Sequence, residues 1–188
     1  MIKQVKILSG VSGSGKSTLA KNLISECHVQ NPTFSATVSA DHYFMVDEIG
    51  HRGELDGTYK FESAKLGKAH AYCFRNFIEA MQKVHDFTHT DGEVVHLPNN
   101  LIIVDNTGTT EAEFSPYVLG ASAFGYEPEM ITIMPDTSKV SVETFLESCA
   151  KRNAHGVPLS VVQTQYRRIA SRRLPPYWKS SVKLSTSS

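Results

Sequence analysis

Short apolar runs alternate along the chain with longer segments in which apolar residues recur every three or four positions. The first pattern is typical of strands and the second of helices that bury one face. Strands are predicted over 5–8, 34–39, 101–104 and 130–134, and helices over 18–24, 63–84, 115–124, 142–152 and 160–171. This order predicts a three-layer α/β fold in which helices flank a central, mostly parallel sheet of four to five strands.

Three segments fall outside this alternation. Residues 45–60 are polar and punctuated by glycine, so we expect a surface loop there. Residues 87–100 surround an Asp-Gly pair and fit either a hairpin, with 93–97 as one arm, or an irregular loop. The serine-rich residues 179–188 are expected to form a flexible tail, which leaves 1–178 as a single domain.

The composition is that of an ordinary globular domain of 188 residues, 40% hydrophobic and 20% charged. No apolar run approaches the roughly 20 residues of a membrane span, and the N-terminus lacks the layout of a secretory signal. We therefore expect a cytoplasmic protein with no membrane partner. The three cysteines are widely spaced and lack a Cys-x-x-Cys pair, so neither a zinc site nor a disulfide framework is predicted.

The stretch between the first strand and the first helix reads Gly-Val-Ser-Gly-Ser-Gly-Lys-Ser from Gly10 to Ser17. It matches Gly-x-x-x-x-Gly-Lys-Ser, a loop whose backbone N–H groups surround nucleotide phosphates, and the helix that follows directs its dipole at the same anion. Lys16 adds a charge, and Ser17 adds a hydroxyl ligand for Mg²⁺. The candidate residues for binding ATP, or another nucleoside triphosphate, are Gly10, Ser12, Gly13, Ser14, Gly15, Lys16, Ser17 and Thr18.

Two acidic residues follow predicted strands, where the carboxyl ends of parallel strands form a ligand crevice. Asp105 ends the apolar run 101–104 and is placed to hold Mg²⁺ opposite the loop serine, directly or through water. Asp41 follows the second strand and is placed beside the γ-phosphate, where a carboxylate can take the proton of an attacking hydroxyl. An aspartate that only caps a helix is the alternative interpretation of Asp41.

Basic residues concentrate near the C-terminal end, where eight lysines and arginines follow Glu147, the last acidic residue. On a chain with no net charge, this indicates either a localised site for a polyanion or a solvated helical face and a loose tail. Within the predicted basic helix, about 160–173, Arg168 and Arg172 are four positions apart and are expected to share one face.

Arg152 opens a segment, 151–158, that contains glycine and proline. This favours a lid that closes over the triphosphate and brings an arginine to the γ-phosphate oxygens. A cation that only stabilises a helix end is the alternative.

Several stretches in order over nearly the whole chain together resemble the P-loop polynucleotide 5′-hydroxyl kinases and related ATP-binding proteins of the zeta-toxin and nucleotide-kinase-like groups. They are the glycine loop, Ser39-Ala40-Asp41-His42-Tyr43-Phe44, Tyr59-Lys60-Phe61 with Leu66-Gly67-Lys68-Ala69-His70, Val104-Asp105-Asn106-Thr107, Gly125-Tyr126-Glu127 and the segment 151–158. The resemblance implies a P-loop NTPase fold.

The same resemblance implies a role for individual residues. Lys16 and Ser17 would bind ATP and Mg²⁺, Asp41 would be the general base, Asp105 would support the metal or the loop, and Arg152 would be the lid arginine. The candidate substrate-binding residues are Asp41, Asn106, Thr107, Arg168 and Arg172.

The chain departs from the family pattern on the acceptor side. Phage members place an arginine three residues after the catalytic aspartate, where this chain has Phe44, and Gly108 replaces the asparagine that commonly follows Asp-Asn-Thr. The chain also lacks the phosphatase signature and the paired His-x-Thr motifs of fused end-healing enzymes. A phosphatase or ligase partner would therefore have to be a separate protein.

Taken together, these features predict a kinase that transfers the γ-phosphate of ATP, with Mg²⁺, to the 5′-OH end of DNA or RNA. The basic helix is the candidate for backbone contact, and Tyr177 or Trp178 is the candidate for base stacking. A small-molecule or nucleotide kinase on the same scaffold is the first alternative, with the arginines serving only the lid and the nucleotide. The second is a nucleotide-gated binding module whose slow hydrolysis controls a partner.

Overall fold

The computed structural model describes residues 3–30, 34–46, 58–88 and 91–186. The helices are α1 (Lys16–Gln30), α2 (Leu66–Gln82), α3 (Glu111–Ala123), α4 (Val142–Arg152) and α5 (Leu159–Ser171), with 3-10 turns at Ala40–Phe44 and Ser63–Lys65. The strands are β1 (Gln4–Ser9), β2 (Phe34–Val38), β3 (Met45–Val46), β4 (Thr58–Tyr59), β5 (Val84–Thr88), β6 (Val94–Asp105), β7 (Glu127–Pro135) and β8 (Ser180–Ser185).

Five of these strands form a parallel sheet in the order β2-β6-β1-β7-β8. The chain leaves β1 toward one side for β2 and β6 and then crosses to the other side for β7 and β8. The loop after β1 therefore lies where the direction of the crossovers changes, which is where open α/β sheets bind ligands. The predicted α/β fold with a mostly parallel central sheet is confirmed.

Burial on both faces of the sheet explains its apolar strands. Ile102 and Ile103 in β6 point to opposite faces, and both are fully buried. Ile102 belongs to the cluster that contains α2 and α3 side chains, and Ile103 to the cluster that packs against α1. This two-sided core makes the carboxyl edge of the sheet a rigid frame for the residues that follow each strand.

The structure settles the uncertain region around the Asp-Gly pair. β5 pairs antiparallel with the first half of β6, so the hairpin alternative is correct. Val84 begins β5, and the helix expected over 63–84 therefore occupies only Leu66–Gln82. Of the surface loop expected over 45–60, the two ends form the small β3–β4 sheet, and 47–57 lie outside the described residues.

The helix expected over 115–124 begins earlier, at Glu111. The carboxylate of Glu113 accepts hydrogen bonds from the N–H of Thr109 at 2.8 Å and from its hydroxyl at 3.1 Å. These bonds link the chain just before the helix to its first turn. Pro116 consequently lies inside the helix and not in its first turn.

The expected flexible tail contains a sheet strand. β8 pairs in parallel with β7 from Ser180 to Ser185, and the Ser181 hydroxyl donates to Glu129 at 2.9 Å. Only Val182 and Leu184 alternate with polar residues here, a pattern too short to predict a strand, and most of the side chains of β8 are exposed. Backbone hydrogen bonds to β7 hold this strand. The domain boundary expected at 178 is therefore wrong.

Among the residues that the structure describes, no helix combines the length and apolarity needed to cross a membrane.

Candidate functional site

The glycines of the phosphate loop allow its backbone to adopt a conformation that other residues rarely adopt. Gly13 and Gly15 have φ values of +77° and +95°, which other residues rarely adopt. A Cβ on Gly13 would also collide with the carbonyl oxygen of Cys149, near the end of α4. The loop is therefore shaped by its glycines and packed directly against the helix that precedes the predicted lid.

Lys16 is buried at the first position of α1, with 9% of its surface exposed. Its ammonium donates to the carbonyl oxygens of Gly10 at 3.1 Å and Val11 at 2.9 Å. Burial lowers the pKa of Lys16, and the charges of Asp105 and Asp41 oppose that shift. The lysine is thus held over the loop by weak neutral acceptors.

The hydroxyl of Ser14 is buried and has no hydrogen-bond partner in the described part of the chain. An unpaired buried hydroxyl is costly unless a ligand satisfies it. Together with a buried ammonium and a glycine backbone, it fits the phosphates of a nucleotide. Ser17 and Thr18 are exposed beside it, and both line the same cavity.

One cavity of about 1470 Å³ lies over the carboxyl edge of the sheet. It is lined by the loop residues from Ser12 to Thr18 and by Asp41, Asp105, Asn106, Thr107, Arg152 and Arg168. Of the residues predicted to bind the nucleotide, the metal or the acceptor, Gly10 and Arg172 are absent from its lining as described, and so are the predicted stacking residues Tyr177 and Trp178. Topology therefore brings residues from distant parts of the sequence to one place.

Asp41 lies in the 3-10 turn that follows β2, and its side chain is 53% exposed. The turn is capped by Ser39, whose hydroxyl accepts the N–H of Asp41 at 3.2 Å, so the interpretation of Asp41 as a cap is wrong. The Tyr59 hydroxyl donates to Oδ1 of Asp41 at 3.3 Å, and Nε2 of His155 lies 3.6 Å from Oδ2. Burial, reinforced by the charge and hydrogen bond of Asp41, raises the pKa of Tyr59, so this hydroxyl remains a donor.

Asn106 connects the end of β6 to the turn that carries Asp41. Its side-chain oxygen accepts the N–H of Ala40 at 2.9 Å, and its amide nitrogen lies 3.4 Å from both the Cys73 sulfur and the Tyr117 hydroxyl. This predicted substrate-binding residue is therefore engaged with protein groups that fix the Asp41 turn.

The candidate magnesium ligands Ser17 and Asp105 both line the cavity. No group of three or more histidine, cysteine or acidic side chains suited to a metal occurs among the described residues. A magnesium ion at an NTPase loop takes only one or two ligands from the protein and the rest from phosphates and water. Ser17 and Asp105 fit that requirement. Thr107 contributes its carbonyl oxygen to the loop, accepting the N–H of Gly10 at 3.0 Å.

The predicted lid is the turn between α4 and α5. Arg152 is the last residue of α4, and its Nη2 donates to the carbonyl oxygen of Gly13 at 3.3 Å. Asn153 fixes the turn, because its amide nitrogen donates to the carbonyls of Ala150 and Val157 and its oxygen accepts the N–H of Val157. The arginine expected at the triphosphate thus already lies against the phosphate loop.

Sequence reasoning missed Gln165 in α5. Its oxygen accepts the N–H of Ser12 at 2.8 Å, and its nitrogen donates to the Ser12 hydroxyl at 3.2 Å. A polar residue on an amphipathic helix carries no sequence signal for such a contact. Arg168, three positions further along α5, is exposed and lines the cavity.

Arg172 does not share a helical face with Arg168, because α5 ends at Ser171 and the backbone turns extended at Arg172, with ψ of 149°. Its guanidinium donates to the Ser9 hydroxyl at 2.7 Å and to the Gly108 carbonyl and the Thr132 hydroxyl at 2.6 Å each. Burial lowers the pKa of Arg172, and the charge of Glu113 opposes that shift. This candidate substrate-binding residue therefore donates to protein acceptors in the structure.

The predicted stacking residues lie apart from the main cavity. The Trp178 ring packs edge-on against Phe114 with centroids 5.9 Å apart, and Tyr177 is 82% exposed beside it. Both line a separate groove of about 490 Å³ together with Val118 and Leu119.

A phosphate-binding glycine loop after the central strand of a parallel α/β sheet, with an arginine-bearing turn packed on it, defines a P-loop NTPase of the kinase-like type. The chain matches the AAA domain family (AAA_33) over residues 5–176 and belongs to it. The resemblance identified from the motifs is therefore supported at the level of a P-loop kinase-like family.

Solved structures share this fold at low sequence identity. Kti12 from Chaetomium thermophilum in complex with ADP-AlF3 is 14% identical over 96% of this chain and 88% of that chain, with a TM-score of 0.52. The APS kinase CysC of Mycobacterium tuberculosis in complex with AMPPNP and APS is 13% identical over 98% and 91%, with a TM-score of 0.50. The AvrRxo1-ORF1:-ORF2 complex is 17% identical over 90% and 48%, with a TM-score of 0.51.

Proposed function

We propose that this protein is an ATP-dependent kinase whose acceptor is an alcohol, and specifically the 5′-hydroxyl end of DNA or RNA. The observation that carries the proposal is the placement of Asp41 on the same cavity as the phosphate loop. Asp41 follows β2 and the loop follows β1, with β6 between them. The ends of β1 and β2 are therefore two strand spacings, or about 10 Å, apart, which leaves room for a γ-phosphate and an attacking hydroxyl.

Each residue of the site has its own role in the proposed transfer. The loop amides and Lys16 bind the triphosphate, and Arg152 adds positive charge over the γ-phosphate oxygens. Ser17 and Asp105 are the residues that would hold Mg²⁺, which would neutralise negative charge on the phosphates. Asp41 accepts the hydroxyl proton while the acceptor oxygen bonds to the γ-phosphorus. The bond from that phosphorus to the bridging oxygen breaks, and ADP leaves with its electron pair.

Exposed cations at the cavity support a polyanionic acceptor. Arg168 and Lys183 both line it and are exposed. Such side chains can contact phosphates of a nucleic acid end without further rearrangement.

A small-molecule or nucleotide kinase is the second candidate, and two observations favour it. Arg172 is committed to protein acceptors, and Tyr177 and Trp178 lie in a separate groove. The cavity therefore offers fewer contacts to a long chain than the sequence suggested.

The experiment that separates the two candidates is transfer of labelled γ-phosphate from ATP to a panel of acceptors. The panel contains 5′-OH DNA and RNA oligonucleotides, nucleosides and nucleotides. We expect labelled oligonucleotide ends. We also expect the acceptor affinity to fall about tenfold between about 50 and about 200 mM salt, as phosphate contacts by Arg168 and Lys183 would require. Labelling of nucleosides or nucleotides alone, with a flat salt response, would exclude the polynucleotide acceptor and support the second candidate.

A further inference from the structure

His155 is a lid residue that the proposed transfer does not use, although it lies beside the candidate base. We propose that His155 is a positioning residue that holds the Asp41 carboxylate while the lid lies on the phosphate loop, so that the donor site and the base are coupled. This inference rests on the proposed function, in which Asp41 is the general base.

Two rings from distant parts of the chain lie beside the two oxygens of the carboxylate. Nε2 of His155 lies 3.6 Å from Oδ2, and the Tyr59 hydroxyl lies 3.3 Å from Oδ1. The rings of Tyr59 and His155 also contact each other, with centroids 4.1 Å apart at 35°. The three side chains therefore form one cluster in which moving the histidine disturbs both contacts of the base.

The same turn, the lid, contacts both the donor site and the candidate base. Arg152 reaches the carbonyl of Gly13 in the phosphate loop, and His155 follows only three residues later. The three hydrogen bonds of Asn153 make the residues between 150 and 157 a single unit. Withdrawal of this turn from the loop would therefore withdraw His155 from Asp41 as well.

The coupling has a direct consequence for proton transfer. The Asp41 side chain is 53% exposed, so without a partner its carboxylate is free to rotate toward solvent. A general base must lie within hydrogen-bond reach of the hydroxyl that it deprotonates. Contact with His155, added to the hydrogen bond from the Tyr59 hydroxyl, narrows the orientations open to the carboxylate when Arg152 covers the donor site.

The kinetic test compares His155→Ala and His155→Gln with a matched control, His96→Ala. His96 also forms an exposed histidine–aspartate pair, with its Nδ1 2.8 Å from Asp86, on the β5–β6 hairpin away from the cavity. We expect His155→Ala to lower kcat for transfer about tenfold, the effect of a misplaced catalytic group, and to leave the Kd of ATP unchanged. His155→Gln should recover most of the rate because its amide can replace Nε2, and His96→Ala should equal wild type.

The same substitution in an Asp41→Asn background decides whether His155 acts through the base. We expect no further loss there, because the group that His155 positions is already inactive. An equal loss in both backgrounds would overturn the inference, and so would a raised Kd for ATP with kcat intact.

A second experiment that needs no acceptor distinguishes failure of the coupling from failure of the proposed function. If wild type transferred no phosphate, the proposed function would be excluded, but hydrogen exchange at the lid would still test the contact between His155 and Asp41. The N–H of Val157 is bonded to Asn153. We expect Asp41→Asn to speed its exchange about two- to fivefold, the scale of a partly exposed polar contact, whereas Asp86→Asn should have no effect. Unchanged exchange in Asp41→Asn would overturn the inference.

Discussion

Arg172→Ala is the substitution that best separates a structural arginine from a substrate-binding one. The guanidinium joins three parts of the fold through Ser9 in β1, Thr132 in β7 and the carbonyl of Gly108. It also lies over the Phe114 ring of α3, 5.2 Å from its centroid. Removing it should therefore weaken the fold and not the acceptor contact.

The magnitude follows from the partners that remain. Hydrogen bonds to a charged group contribute about 1.5 to 3 kcal/mol each. The loss should be smaller than three such bonds, because the Ser9 hydroxyl keeps the Gly108 carbonyl as an acceptor at 2.8 Å. We expect the free energy of unfolding to fall by about 2 to 4 kcal/mol. For a chain of this size, Tm should fall by about 4 to 16 °C.

The assay is urea unfolding together with acceptor kinetics, and Arg168→Ala is the matched control. Arg168 is exposed at the cavity, so its removal should leave the free energy of unfolding nearly unchanged and raise KM for an oligonucleotide acceptor. Arg172→Lys should recover only part of the lost stability, because an ammonium cannot reproduce the planar fork. Wild-type stability in Arg172→Ala with a raised acceptor KM would refute this reasoning and return the residue to the substrate site.

Three further predictions follow from local geometry. Gly13→Ala should lower the free energy of unfolding by about 2 to 5 kcal/mol, and Gly15→Ala by about 1 to 2 kcal/mol. Both glycines have a positive φ, but only a Cβ on Gly13 would collide with α4. Equal losses for the two variants in urea unfolding would contradict this. Burial acts to raise the pKa of Glu129, but its bonds to Lys6 and Ser181 hold it below the usual value. Its contribution to stability is therefore present above about pH 4.3 and is lost as the pH falls through the folded pKa. Wild type should consequently lose more free energy of unfolding than Glu129→Gln between about pH 5 and about pH 3. A difference in the free energy of unfolding between the two proteins that stays constant over this pH range would exclude this effect. Tyr59→Phe should lower kcat about three- to tenfold with the Kd of ATP unchanged, since it removes only the hydroxyl that donates to the candidate base; a weaker ATP affinity at full kcat would argue against that role.

The sequence was sufficient where one local pattern determines the outcome. The apolar run 101–104 could only be a buried strand in this context, and it delivers Asp105 to the cavity. Ser141, just before the helix predicted over 142–152, is of a residue type that favours helix caps, and its hydroxyl accepts the N–H of Thr144 at 3.1 Å. The glycine loop was recognised because its spacing reflects a backbone that few other sequences can adopt.

The sequence was insufficient where the outcome depends on distant partners. β8 has mostly exposed side chains and only two alternating apolar residues, Val182 and Leu184, so its formation depends on pairing with the backbone of β7. The inward turn of Arg172 depends on acceptors that lie 40 to 163 positions away in the chain. The contact of His155 with Asp41 joins the lid to the end of β2, and neither residue type nor spacing indicates it.

The central claim is that Asp41 takes the proton of an acceptor hydroxyl while ATP is held by the loop. The most direct test measures γ-phosphate transfer to a 5′-OH oligonucleotide and the Kd of ATP on the same preparations of wild type, Asp41→Asn and the control Asp86→Asn. We expect transfer to fall at least about 100-fold in Asp41→Asn alone, while all three proteins bind ATP equally. Transfer that survives in Asp41→Asn would contradict the claim that this carboxylate is the base.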